Sequence, residues 1–523
     1  MSKKYTSNNL LREKVLKGAN VLADNVASTL GPRGRNVLLH KPGAKPLITK
    51  DGVTVAKFVD LSDPFENAAA QIIKQASAQT NSDAGDGTTT ATVLAREVLV
   101  QSQKYLAAGV SPVELKRGMD KAVAAIVKNL KEMATPVTSE EDVAHVATIS
   151  ANGDETIGSL ISTAIDRVGK DGAISIEDSR STETVLDLVE GFRFDSGYIS
   201  NQFITDDRRG VARHDDVLIL VTDNNVEFVE DLLPILEVAA REARPLLIVA
   251  ENIEGQALAA LIMNAVRGTM RVVAVKAPRY GQERRNILSD LATSVGATFV
   301  SRDSGLRLKD AKLENLGRAK SIEIYKNATT IVDGAGDIDE TDKRIETLKA
   351  ELEQTDSLSE CERIQERITR LASGVGIIRV GGSTEVEMVE KKHRIEDALE
   401  AVMSAKSEGI VPGGGTALLQ AAKNLEVDCD NDDQELGVKI LLDVVRAPMK
   451  QMALNAGESP DLIVNTVESS EPNFGWNFAT GELVDMLATG IIDPVKVTRV
   501  ALQNAVSASS TLLTTNYAII QED

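Results

Sequence analysis

The sequence predicts an α/β multidomain protein (α+β overall), helical toward both ends and alternating strand with helix in the middle. Three observations carry this prediction. At 523 residues the chain exceeds what one hydrophobic core serves, so about three domains are expected. Short β-rich runs at Val217–Val221, Leu246–Ala250, Val272–Lys276 and Thr298–Ser301 alternate with helical stretches Glu227–Arg241, Gly255–Arg267 and Glu283–Ser294, the rhythm of βαβ units. Toward both ends, alanine-rich sequence repeats apolar residues every three to four positions.

In chain order, a helix is expected over Leu11–Thr29, then a strand-like run Pro46–Thr49 and a helix Thr90–Ala107. Ser111-Pro112-Val113-Glu114 reads as a capping box with proline at N1, opening a helix to about Met133. Leu115, Met119, Val123, Ile126 and Leu130 give it one buried face, and Pro136 ends the pattern. Over Asp337–Leu371, Ile345, Leu348 and Leu352 followed by Ile364, Ile368 and Leu371 predict two amphipathic helices in a hairpin around Ser357. A β run Val375–Val380, a helix Thr384–Ser407 and a helix Thr416–Lys423 follow.

Composition excludes several functions. Aromatics are 3% of residues, so the cores must be aliphatic. A net charge of −20, with no basic stripe, argues against nucleic acid and anionic membranes as partners. Cys361 and Cys429 belong to no C-x-x-C pair, and the four histidines lack H-E-x-x-H spacing, which excludes those zinc sites. Residues 1–16 are polar and charged, and no apolar run reaches the length of a membrane span, so a cytoplasmic location is expected.

Gly85-Asp86-Gly87-Thr88-Thr89-Thr90 stands directly before a helical run. A helix N-terminus offers unpaired N–H groups and a positive dipole end to an anion, and Asp86 could hold Mg²⁺ together with phosphate oxygens. The plain alternative is a turn with a threonine N-cap. Thr29-Leu30-Gly31-Pro32 with Arg33-Gly34-Arg35, Lys50-Asp51-Gly52 and Gly413-Gly414-Gly415 could join it at one nucleotide. Taken singly, they read as a C-cap, a hairpin turn and a glycine loop, and none is a P-loop or a dinucleotide fingerprint.

Together with Glu396-Asp397-Ala398-Leu399, Ala277-Pro278, Thr416-Ala417-Leu418 and Asp493-Pro494-Val495-Lys496-Val497-Thr498-Arg499, these motifs closely resemble the group I chaperonins, the GroEL family. The resemblance runs over essentially the whole chain. It implies a mainly helical equatorial ATPase domain (1–133 with 409–523), a small intermediate hinge domain (134–190 with 374–408) and an α/β apical domain (191–373). It implies ATP and Mg²⁺ as cofactors and ATP hydrolysis as the activity. Thr29, Leu30, Gly31, Pro32, Gly87, Thr88, Thr89 and Thr90 would cradle the phosphates, Asp86 would bind the metal, and Lys50 and Asp51 would approach the γ-phosphate. Gly414, Asn477, Phe478, Ala479 and Asp493 would close over adenosine, and Asp397 and Asp51 would be the catalytic carboxylates, with Asp397 activating the attacking water. Phe478 departs from the family's usual alanine; it either stacks on adenine or packs inward.

By the same resemblance, Tyr198, Ile199, Phe203, Leu233, Leu236, Leu258, Ile262 and Met263 would bind non-native polypeptides. Periodicity alone reads them as helix core. Phe228, Val229, Leu232, Leu233, Ile235 and Leu236 cover more helix surface than one buried stripe requires. Gln202 stands where a tyrosine is common, which implies weaker client capture. The family assembles as a homo-oligomer of seven-membered rings stacked in pairs, with a co-chaperonin cap. The usual Gly/Met-rich tail is not seen after Tyr517-Ala518-Ile519, and Gly457-Glu458-Ser459 replaces a Glu-Glu pair at the ring contact, so a single or labile double ring is expected. Two other functions compete, a small-molecule phosphotransferase and an ATP-inactive holding protein. The first lacks a pair of basic residues beside an acceptor pocket, and the second is opposed by Asp51, Asp86 and Asp397.

Overall fold

Helices dominate the chain ends because small aliphatic residues there recur at helical spacing and can bury one face each. In the computed structural model, described over residues 2–43, 46–168, 173–179, 181–301, 304–355, 358–372 and 374–522, the chain forms two compact units. The first comprises 1–163 and 382–523, the second 164–381.

In the first unit, helices Asn8–Ala27, Pro64–Ala84, Thr88–Ala107, Pro112–Glu132, Asp432–Val444 and Val495–Thr514 enclose an aliphatic core. Leu22, Ile73, Leu94, Leu115, Ile126, Leu441 and Leu502 are fully buried there. Strands Ser2–Ser7 and Tyr517–Glu522 pair antiparallel, which fastens the two ends of the sequence together. The predicted capping box is only half formed. Ser111 accepts from the Glu114 N–H at 3.5 Å, but the Glu114 carboxylate turns away to Asn431 and Gln434. Asp433 takes the Ser111 N–H instead, at 3.2 Å, because the neighbouring helix brings a carboxylate within reach.

The second unit is built on an eight-stranded sheet. Its spatial order is Val272–Lys276, Leu246–Ala250, Ala212–Val221, Gly317–Ile324, Thr329–Gly334, Val185–Phe194, Gly374–Val380 and Ala173–Asp178. The first three strands are parallel, with Leu218 opposite Leu246 and Leu246 opposite Val272, as βαβ crossovers require. The strand expected at Thr298–Ser301 reduces to a single bridge, Val300 with Thr222. Val300 makes both bridge bonds, its N–H donating to the Val221 carbonyl and its own carbonyl accepting from the Asp223 N–H, but the Thr298 N–H goes to the Asn315 carbonyl, so the pairing extends no further. The helix expected over Glu227–Arg241 begins only at Leu233, after a 3₁₀ turn Val229–Asp231, since Pro234 favours a helix start. Helices Ile338–Gln354 and Leu358–Ala372 pack together as anticipated, and their apolar stripes join the core; the turn near Ser357 lies outside the described residues. Among the described residues no helix is long and apolar enough to cross a membrane.

Candidate functional site

The first unit contains a cavity of about 460 Å³. All the residues that the sequence assigned to nucleotide binding and hydrolysis line it: Thr29 to Pro32, Lys50, Asp51, Asp86 to Thr90, Asp397, Gly414, Asn477 to Ala479 and Asp493. Segments more than 400 positions apart in sequence thus share one wall.

The motif of residues 85–90 owes its shape to Gly87, whose φ of +91° is left-handed and whose Cβ, if present, would lie 2.9 Å from Val497. Gly87 is the N-cap of helix Thr88–Ala107 and brings no side chain to its first N–H groups. Thr88 Oγ1 is buried without a hydrogen-bond partner at the same end. A positive helix end with spare donors is what a phosphate needs.

Beside it, Asp86 accepts from the Gly87 N–H at 2.5 Å and the Ser150 hydroxyl at 3.2 Å. Burial nonetheless pushes its pKa up, and the negative charge of Asp51 adds to this. Asp493 is raised to about 7, by burial first and by Asp86 second. Crowded carboxylates of this kind are relieved by a cation. Among the described residues no group of three His, Cys, Asp or Glu side chains could cage a metal alone. The donor set therefore fits Mg²⁺, which takes one or two carboxylates and completes its shell with phosphate and water.

The hairpin turn expected at Lys50-Asp51-Gly52 is instead a helix start. Asp51 caps helix Gly52–Phe58, accepting from the N–H groups of Val53 and Thr54 at 3.0 Å and from the Thr54 hydroxyl at 2.5 Å. Lys50 Nζ donates to the Gly31 carbonyl at 3.1 Å. Burial lowers its pKa, and Arg394 lowers it further.

Asp397 sits half-buried on helix Glu385–Glu408, whose residues Ile395, Ala398, Leu399, Val402 and Ala405 are buried as their spacing predicts. Sequence reading missed three companions on its cavity-lining face, Glu390, His393 and Arg394. Their spacing from Asp397 of three, four and seven was the available signal. Arg394 pairs with Asp154 at 3.0 Å and Glu390 at 2.9 Å. Ser150 was also missed and has no local signature. So was Trp476, the single tryptophan, whose indole donates to Glu458 at 2.6 Å. Phe478 takes the inward alternative. Its ring is 4% exposed and packs with Leu419, Met449, Met452 and Ile463.

In the second unit, the residues expected to meet polypeptide divide. Leu233 and Met263 are exposed, while Tyr198, Ile199, Leu258 and Ile262 lie half-buried against the core. Phe203 (2% exposed) and Leu236 (7%) correct the expectation: both are core residues, because their sides of the turn Asn201–Phe203 and helix Leu233–Glu242 face inward. Phe228 and Val266, at 53% and 64%, are exposed apolar residues outside that assignment.

The model of the TCP-1/cpn60 chaperonin family matches residues 22–523. Among solved structures, the chain is similar to the crystal structure of the chaperonin gp146 from the bacteriophage EL 2 (Pseudomonas aeruginosa) in the presence of ATP-BeFx. The TM-score is 0.67, the identity is 22%, and the match covers 99% of each chain, a likeness of fold.

Proposed function

This chain belongs to the TCP-1/cpn60 chaperonin family and has the ATP-dependent function of a chaperonin; from that premise we propose how its residues carry it out. The supporting observation is the single cavity wall that unites residues 29–32, 50–51, 86–90, 397 and 493. Bound Mg²⁺·ATP would supply a phosphoanhydride bond to break and an anion to recognise. The N–H groups of Thr88 to Thr90 and the loop Thr29–Pro32 hold the phosphate chain, and Lys50 braces that loop through Gly31. Asp86 holds the cation, with Asp493 nearby. Asp51 keeps the start of helix Gly52–Phe58 in place. Asp397 accepts a proton from the attacking water at its carboxylate.

The three-domain division 1–133/409–523, 134–190/374–408 and 191–373 stands beside this reading. The exposed apolar residues Leu233 and Met263, with half-buried Tyr198, Ile199, Leu258 and Ile262, capture unfolded chains, since apolar burial is non-directional and reads no sequence. ATP withdraws that surface only by binding one conformation more tightly than the other. Assembly into a seven-membered ring, single or double, a co-chaperonin cap and a cytoplasmic setting complete the proposal. Aggregation of an unfolded client protein, followed with and without Mg²⁺·ATP, tests it. Suppression without nucleotide and release with it are expected; suppression insensitive to ATP overturns the coupling.

A further inference from the structure

The turn after the Thr29–Pro32 loop carries a side chain that the nucleotide reading leaves unused. Arg33 donates from one terminal nitrogen to the Ala479 carbonyl at 2.8 Å and from Nε to the Phe478 carbonyl at 3.4 Å. Both acceptors belong to the cavity wall opposite in sequence, where strands Phe474–Asn477 and Glu482–Asp485 pair as a two-stranded hairpin. Such a hairpin is marginal in isolation and takes its position from what it is tied to. The loop at the other end of this tie is itself fixed. Asn455 donates to the carbonyls of Ala27 and Leu30, both at 2.9 Å, and Lys50 donates to Gly31. Arg33 therefore spans from a braced loop to a hairpin that needs bracing.

Resting on the reading that nucleotide occupies this cavity, we propose that Arg33 is a positioning residue that holds the 477–479 turn over the cavity and so sets nucleotide affinity. The guanidinium fork suits the task, because its planar, fixed donors can meet two successive carbonyls with less ordering than the freely rotating donors of an ammonium. It touches no reacting group, so its loss weakens binding and leaves the chemical step alone. Trp476, one residue before the turn and lining the cavity, gives a built-in fluorescence probe.

The test compares the full-length protein with Arg33→Ala and Arg33→Lys. Three quantities are read: the Kd for Mg²⁺·ADP from Trp476 fluorescence, the KM and kcat for ATP, and amide hydrogen exchange over 474–485. For Arg33→Ala, Kd and KM rise about fivefold, kcat stays within twofold, and exchange in the hairpin accelerates; one bond is exposed and the other only part-buried, which keeps the effect modest. Arg33→Lys recovers part of the loss, and it carries the comparison should the alanine variant fold poorly. Unchanged Kd with unchanged exchange overturns the proposal, as does a fall in kcat at constant Kd. Wild-type protein that binds no ADP overturns the nucleotide reading along with it. Tight wild-type binding with indifferent variants overturns only the role of Arg33.

Discussion

In the first unit, the cavity proposed for nucleotide is walled by main-chain N–H groups, glycines and carboxylates held at fixed distances; in the second, the surface proposed for clients is apolar side chains left uncovered. The cavity wall needs Gly87 at φ +91°, Asp86 bonded to Ser150, and Asp51 committed to a helix cap. The proposed client surface asks only that apolar residues such as Leu233, Met263, Phe228 and Val266 stay exposed. Directional chemistry tolerates few substitutes at a position, whereas non-directional burial tolerates many.

The sharpest way to break this contrast is Asp397→Ala. Loss of a positioned proton acceptor costs about 10²-fold or more in turnover, while ATP binding, which rests on other wall residues, persists. Phosphate release and nucleotide binding are measured on the same preparation. Normal turnover removes Asp397 from the chemistry.

A pair of substitutions in the second unit comes next. Phe203→Ala empties a core position and should cost about 3–5 kcal/mol of stability, read by denaturant unfolding. Leu233→Ser, at an exposed site, should leave stability within about 0.5 kcal/mol and reduce capture of an unfolded client. The reverse result would return Phe203 to the binding surface.

The contrast also explains what could be read from the sequence. Gly85 to Thr90 was legible because a left-handed turn opening a helix demands glycine, and an anion site there demands little else. Helix Thr384–Ser407 and the two helices of Asp337–Leu371 were legible from their 3.6-residue period. Ser150 and Trp476 were not, since each is placed by a partner, Asp86 or Glu458, that only the tertiary fold supplies. Phe203 and Leu236 were misplaced for a different reason. Their periodicity read them as core, where the fold places them; it was the family resemblance that carried them to the binding surface. The Thr298–Ser301 strand shrank to one bridge because only Val300 reaches the neighbouring strand, while the Thr298 N–H bonds to the Asn315 carbonyl.

A smaller effect separates the carboxylates from the rest of the cavity wall. An aspartate whose folded pKa lies near 7, above its unfolded value of 3.8, favours the folded state fully at low pH and loses that contribution as pH rises toward 7. Nucleotide-free protein should therefore melt at lower temperature at pH 8 than at pH 5, by on the order of a few °C from this group. Asp493→Asn should remove most of that slope and raise the pH 8 melting temperature. Added Mg²⁺ with ADP should flatten the wild-type slope. A slope that survives the substitution unchanged would place its origin outside Asp493.

The smallest expected effect lies at Gln202. Its side chain is exposed in the turn Asn201–Phe203, where Ser200 accepts from its N–H at 3.4 Å and donates to its Oε1 at 3.1 Å. A tyrosine here would add apolar surface next to half-buried Ile199 and keep a hydroxyl in water. Burying part of that ring against a client gains roughly 1 kcal/mol, about fivefold in retention. The exposed Ser200 bond it replaces is worth less than that gain. Gln202→Tyr should thus increase retention of an unfolded model protein without altering ATP turnover. If retention does not change while Leu233→Ser still reduces it, residue 202 lies off the binding face, and that face is confined to Leu233, Met263 and their neighbours.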